Sequence, residues 1–142
     1  MTDKEFINKW TSTLSENGLK NFPADFLENE KVEEITLPGK TLVIGEEFFG
    51  DFEVLTADGN AIMQVSSQNK AKYLVYASRF KLTSVKIPTD EMQLKSVITK
   101  YESCLDAIIK EIEADYKKIF PGEKRSNNFV NEIFRILNLN RY

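Results

Sequence analysis

The sequence predicts an α+β fold, in which a small, mainly antiparallel sheet is covered by helices. Short segments of β type, separated by turn residues, occupy the middle of the chain, and apolar residues at helical spacing occupy both ends. The chain has 142 residues, of which 42% are hydrophobic and 29% charged, so it is long enough for one core and too short for two ordinary domains. We therefore expect a single domain over residues 1–142.

A first helix is predicted directly after the N-terminus. Thr2 and Glu5 match a capping box, in which a hydroxyl and a carboxylate bond to otherwise unpaired backbone N–H groups. The apolar face that follows consists of Phe6, Ile7, Trp10 and Leu14. Asn17-Gly18 supplies the left-handed conformation that ends many helices, so we expect the helix to stop there.

The strands come next. The predicted segments are Val32–Leu37, Lys40–Glu46, Asp51–Thr56 and Ala61–Val65. Asp58-Gly59 can supply the positive φ angles of a tight turn, so the last two segments are predicted to form a hairpin. A further short strand over residues 84–87 is ended by Pro88.

Residues 67–82 fit two kinds of secondary structure. The run from Lys72 to Tyr76 has good β propensity. In a helix, however, small and aliphatic residues would form one stripe, and Tyr73, Tyr76 and Phe80 would gather on the opposite side. Because the helix sorts the residue types more cleanly, we favour a helix inserted between the strands, with a strand as the alternative.

A long helix and a shorter one are predicted at the C-terminal end. An apolar stripe runs from Leu94 to Ile119 without interruption by glycine or proline, so a helix capped by Thr89 or Asp90 would be about 45 Å long. A final helix, capped near Ser126 or Asn127, follows Pro121-Gly122, and we expect it to fold back as a helical hairpin. Asp115 interrupts the heptad spacing, which favours this hairpin over an extended coiled coil and leaves a monomer or a homodimer open.

The composition restricts the chemistry that the chain can perform. It contains no histidine, which removes Ser-His-Asp and Cys-His nucleophiles and histidine-bound metals. The phosphate-loop, dinucleotide-binding and nucleophile-elbow motifs are also absent from the sequence. Chemistry based on carboxylates, lysine or tyrosine remains open. We therefore expect a protein that is not an enzyme and that has no cofactor.

The sequence also indicates where the protein works. No stretch approaches the roughly 20 consecutive apolar residues that span a bilayer, and residues 1–5 do not begin a secretory signal. The one cysteine, Cys104, excludes an internal disulfide and is predicted to be a buried, inert thiol of the long helix. We expect a cytoplasmic protein that does not bind membranes.

Charge is segregated along the chain. Nine acidic residues and two lysines lie between Glu28 and Asp58, whereas five basic residues and no acidic ones lie between Ala61 and Thr89. The second region supplies a candidate contact face composed of Tyr73, Tyr76, Phe80, Lys72 and Arg79. The other interpretation, which we favour for these side chains, is that the rings pack against a neighbouring layer while the lysines reach water. The net charge of −3 does not favour nucleic acid as the partner.

Our leading hypothesis is a non-catalytic, cytoplasmic protein-interaction or accessory domain that contacts a protein partner through this aromatic and basic helix face. The alternative is a carboxylate-based enzyme or small-ligand binder that uses Mg²⁺. Its site would consist of Glu46, Glu47, Asp51 and Glu53. Phe48-Phe49, which lies within that segment, is predicted to anchor a bend in the core, with a protruding hydrophobic contact as the alternative.

Overall fold

The computed structural model describes residues 1–15, 31–80, 82–137 and 139. The elements in chain order are α1 (Asp3–Thr13), β1 (Val32–Thr36), β2 (Leu42–Phe48), β3 (Asp51–Thr56), β4 (Ala61–Val65), α2 (Gln68–Ser78), β5 (Ser84–Pro88), α3 (Glu91–Ile119) and α4 (Ser126–Leu137). This order confirms the predicted α+β fold with one helix inserted among antiparallel strands. It also confirms a helix, rather than a strand, in the ambiguous region.

The strands form two antiparallel sheets instead of one. β1 pairs with β5, with Val32 opposite Pro88 and Thr36 opposite Ser84. The other sheet has the order β2-β3-β4. Its β3–β4 hairpin forms as predicted, and the amide of Thr56 donates to the carbonyl of Asn60 at 2.9 Å. Of the predicted turn pair, Gly59 has a positive φ of +97° and Asp58 does not. The sequence predicted the strands but not their division between two sheets, since β1 and β5 are far apart in the chain.

The chain divides into two compact units. One, the helical unit, consists of Met1–Lys20 and Glu102–Tyr142, and the other, the sheet unit, of Asn21–Tyr101. The border between them falls within α3. A single domain over residues 1–142 stays a prediction. None of the helices in the described ranges combines the length and the apolar character that crossing a membrane requires.

α1 of the helical unit begins at the predicted cap, with one of the two capping-box bonds present. Oγ1 of Thr2 accepts a hydrogen bond from the backbone N–H of Glu5 at 3.2 Å, so the cap hydroxyl satisfies a donor of the first turn. The Phe6 side chain is completely buried. The predicted stop at Asn17-Gly18 lies outside the residues that the structure describes.

The helical hairpin predicted for the C-terminus is held together by aromatic residues. Gly122, with a φ of +83°, lies in the turn between α3 and α4. The ring centroids of Tyr116 and Phe129 are 5.3 Å apart, and Phe6 of α1 lies 5.2 Å from Phe129. The Tyr116 hydroxyl accepts a hydrogen bond of 2.9 Å from the backbone N–H of Arg125, so it satisfies a donor next to the start of α4.

Asp115, which interrupts the apolar spacing of α3, bonds to α1. Its carboxylate accepts hydrogen bonds from Nζ of Lys9 at 2.7 Å and from Nε1 of Trp10 at 2.9 Å. Burial acts to raise the pKa of Asp115, but the bonds from Lys9 and Trp10 outweigh it and the pKa is lowered. A polar residue in the seam therefore connects two helices of one unit.

Cys104 is exposed, which corrects the prediction of a buried thiol. The buried stripe of α3 includes Leu105, Ile108 and Ile112. Cys104 precedes Leu105 by one residue, which turns its side chain by about 100° around a helix of 3.6 residues per turn. The thiol therefore lies beside the stripe and outside the core.

In the sheet unit, α2 packs against β2 and β3. The helix is buried on nearly all sides, since Ala71 and every residue from Tyr73 to Ser78 are buried. Ser78 connects the layers: its Oγ donates to the carbonyl of Val75 at 2.6 Å and accepts from the backbone N–H of Leu42 at 2.9 Å. A backbone donor of an edge strand is thus satisfied inside the core.

Candidate functional site

The structure buries the two tyrosines of the predicted helix face. Both Tyr73 and Tyr76 have no exposed surface. The Tyr73 hydroxyl donates to the backbone carbonyl of Lys86 at 2.8 Å, and burial raises the pKa of this phenol. A phenol with a backbone acceptor in the interior is a structural group. Tyr73 therefore packs in the core, as the packing interpretation of the sequence expected.

The rest of that face forms a packed cluster. The rings of Tyr76 and Tyr101 have centroids 4.6 Å apart, and the guanidinium carbon of Arg79 lies 4.9 Å from the Tyr76 centroid. Nη1 of Arg79 donates to the Tyr101 hydroxyl at 3.2 Å, and Phe80 lies 6.0 Å from the Tyr101 ring. The structure thus brings Tyr76, Arg79 and Phe80 together. They pack against Tyr101 of α3 rather than forming an open contact face. Lys72, Arg79 and Phe80 are half-buried.

The tip of the β2–β3 hairpin is a different kind of surface. Phe48 and Asp51 are the last paired residues, so Phe49 and Gly50 form a turn of two residues. Their φ angles are +51° and +83°. Positive φ at both central positions is the feature of the type I′ turn, whose twist matches that of antiparallel strands.

Both phenylalanine side chains of this tip project into solvent. Phe48 is 67% exposed and Phe49 is 93% exposed. Their ring centroids are 4.5 Å apart at an interplanar angle of 73°, so each ring's main aromatic neighbour is the other. This corrects the prediction that Phe48-Phe49 anchors a bend in the core. The structure has the protruding arrangement that was the alternative.

Phenylalanine at position 49 destabilises the turn. Among the residues that the structure describes, it is the one non-glycine with positive φ. A bulky residue in this conformation costs of order 1–2 kcal/mol, and asparagine, aspartate or glycine is favoured there. At 93% exposure the ring recovers almost none of this cost by burial. The fold therefore does not explain a phenylalanine at position 49.

A β-bulge lies just below the tip in β2. Ile44 pairs with Val54 and Glu47 with Phe52, so Gly45 and Glu46 together face one residue of β3. A Cβ atom at Gly45 would come within 2.7 Å of Cδ2 of Leu55. A side chain at position 45 would therefore force the Leu55 side chain to shift, and the bulge strengthens the local twist beneath the tip.

Four carboxylates lie on the two strands that lead to the tip. Glu46, Glu47 and Asp51 are exposed and Glu53 is half-buried. None of these side chains forms a hydrogen bond or ion pair with a residue in the described part of the chain. Within that same part, no three acidic or cysteine side chains come together in a way that could hold a metal ion. The structure therefore does not gather the four carboxylates of the Mg²⁺ alternative into a ligand set.

Sequence reasoning gave a protruding contact at Phe48-Phe49 only as the alternative, because phenylalanine is not a turn residue. A signal was present: Phe49-Gly50 separates two β segments, and the glycine suits the second central position of a tight turn. The pairing of Phe48 with Asp51 could then have been derived from the alternation of the two strands. The sequence did not decide between a core anchor and a protruding contact for the two rings.

Compared with known protein families, with curated proteins and with solved structures, the chain matches none of them.

Proposed function

We propose that the protein is a non-catalytic, cytoplasmic protein-interaction domain that binds its partner through the hairpin tip, defined as Phe48, Phe49 and Gly50. One observation carries the proposal. Phe49 is 93% exposed in a positive-φ conformation that its side chain disfavours. A strained backbone conformation that no contact within the fold compensates is typical of functional positions.

The tip has the properties of a binding hot spot. Burying one phenylalanine side chain contributes about 1.5–3 kcal/mol, so two adjacent rings can supply most of the affinity of a small interface. The type I′ turn holds both rings on a fixed backbone before binding. Less conformational entropy is then lost on association than with a flexible loop.

The sheet unit supplies a rigid base for the tip. Val54 of β3 and Leu42 of β2 are completely buried, and the Ser78 hydrogen bond fixes the far end of β2. The hairpin therefore projects from a packed sheet that α2 covers. A firmly held, protruding pair of rings suits insertion into a cavity of another protein better than contact with a flat surface.

The experiment is quantitative affinity capture from native cytosol with the wild-type chain and the double variant F48S/F49N. Asparagine adopts positive φ readily, so the variant removes both rings and keeps the turn. The matched control is Met92→Ser, which removes an apolar side chain that is 76% exposed elsewhere.

We expect a protein that wild type and Met92→Ser retain equally and that F48S/F49N retains at least tenfold less, which corresponds to about 1.4 kcal/mol. Equal retention by all three proteins, with circular dichroism showing the same fold, would disprove the use of the tip.

A further inference from the structure

We infer that the partner receives the tip in an apolar pocket bordered by lysine or arginine side chains. This inference rests on the proposed function and adds the chemistry of the partner. It follows from the carboxylates around the rings rather than from the rings themselves.

The charge around the tip has one sign. From Ile44 to Leu55 the sequence contains four acidic residues and no basic ones. Glu46, Glu47 and Asp51 are exposed, and their carboxylates have no hydrogen-bond or ion-pair partner among the side chains that the structure describes. Elsewhere in the same unit an exposed acid is paired, since Glu33 accepts from Nζ of Lys70 at 3.1 Å. The tip carboxylates are therefore available to a partner.

Burial of the rings brings a carboxylate against the partner. Asp51 lies directly opposite Phe48 across the hairpin, where cross-strand side chains are neighbours, so burial of the Phe48 ring partly desolvates the Asp51 carboxylate. Glu47 precedes Phe48 in β2 and lies on the other face of the same hairpin. A desolvated carboxylate that gains no partner opposes binding. Cationic side chains at the rim of the pocket restore the lost interactions and also steer the encounter.

The same charges disfavour the other surfaces that exposed phenylalanines could enter. An anionic membrane leaflet would repel a tip surrounded by acids. A second copy of this chain would present an equally acidic tip, and like charges oppose that contact. A protein with an apolar pocket and a basic rim can bury the rings and also pair with the carboxylates.

The test is a selection of random displayed peptides on the immobilised wild-type chain, with F48S/F49N used to remove peptides that do not need the rings. Enriched peptides should combine apolar residues with lysine or arginine. A synthetic copy of the best peptide should bind E47Q/D51N more weakly than wild type, and E47K/D51K about tenfold more weakly, since each charge pair contributes modestly. E5K/E111K, which changes one exposed acid of α1 and one of α3, raises the net charge by the same amount and is the control.

The outcomes separate the inference from the proposed function. Ring-dependent peptides without basic residues, or with affinity unchanged in E47K/D51K, overturn the basic rim and leave the tip as a binding site. A selection that yields no ring-dependent peptide overturns both. Two further results also overturn the inference: ring-dependent sedimentation with vesicles of phosphatidylcholine alone or with phosphatidylserine, or a ring-dependent dimer in light scattering.

Discussion

The two units of the chain use phenylalanine in opposite ways. In the helical unit, Phe6 and Phe129 are buried and lie edge to face at 5.2 Å, in one cluster with Tyr116. In the sheet unit, Phe48 and Phe49 also lie edge to face, at 4.5 Å, but they project into solvent. The ring–ring geometry is similar and the surroundings differ. Ring contacts alone therefore do not tell a core cluster from a contact surface.

The polar groups show the same division. Around the helical cluster, Asp115 accepts from Lys9 and Trp10, and Arg125 pairs with Asp3 at 2.9 Å. Around the tip, the carboxylates find no partner in the described ranges. Polar groups next to the buried rings are thus satisfied within the unit, whereas the carboxylates near the exposed rings are left to solvent.

The largest effect is expected at Phe6. Phe6→Ala should lower the free energy of unfolding by about 3–5 kcal/mol, because it leaves a cavity in the aromatic cluster. Phe48→Ala is the matched control and should change stability by about 0.5 kcal/mol or less, since it removes an exposed ring. Urea denaturation measures both. Equal losses for the two variants would remove the distinction between core and tip.

A smaller effect is expected at Ser78, which supports the base of the tip. Ser78→Ala should cost about 1–3 kcal/mol, because the buried N–H of Leu42 loses its acceptor. Ser103→Ala, at an exposed position of α3, is the control and should be neutral or slightly stabilising. Chemical denaturation of the two variants measures the change in the free energy of unfolding. A neutral Ser78→Ala would show that Leu42 finds another acceptor.

Phe49→Asn should act in the opposite direction. It should raise the free energy of unfolding by about 1 kcal/mol, because asparagine relieves the positive-φ strain and almost no burial is lost. Phe48→Asn should give no such gain, since position 48 is an ordinary strand residue. Thermal and urea unfolding test the pair. A destabilised Phe49→Asn would mean that the ring supports the fold after all.

The smallest effect concerns the pH dependence of the helical unit. The folded-state pKa of Asp115 is lowered, so its contribution to stability is present above the unfolded-state pKa and is lost as the pH falls through the folded value. Asp115→Asn should therefore lower stability near neutral pH by about 0.2–1 kcal/mol.

The stability difference between wild type and Asp115→Asn should shrink below about pH 3.9, the ordinary pKa of an aspartate. Urea titrations near neutral pH and below about pH 3.9 measure the stability difference, with Glu111→Gln as the control. A difference that persists undiminished in acid would show that the charge of Asp115 is not responsible.

Features set by neighbouring residues were predictable from the sequence. The cap of α1 depends on Thr2 and Glu5, and the bounds of β3 and β4 follow from β-type segments on both sides of Asp58-Gly59. α2 was predicted from its 3.6-residue period. Local propensity and tertiary packing agree in these elements, which is why sequence reasoning succeeds there.

Features set by contacts across the chain were only partly predictable. The packing of Tyr73 against a neighbouring layer was expected, but its hydrogen-bond partner was not. The burial of Tyr73 depends on an acceptor in β5, and the pairing of β1 with β5 depends on the chain between them. The exposure of Phe49 was expected only as the alternative, for another reason. Hydrophobic patterning assigns an aromatic residue to the core, so an exposed ring looks like a core residue in the sequence.

The position of Trp10 gives the two units separate spectroscopic signals. It is the one tryptophan in the chain and belongs to the helical unit, where its indole N–H bonds to Asp115. Tyr73, Tyr76 and Tyr101 belong to the sheet unit. Tryptophan emission therefore reports the melting of the helices, while near-ultraviolet tyrosine absorbance includes the sheet. Coincident transitions would show that the chain unfolds as one cooperative body, and separated transitions would give each unit its own stability.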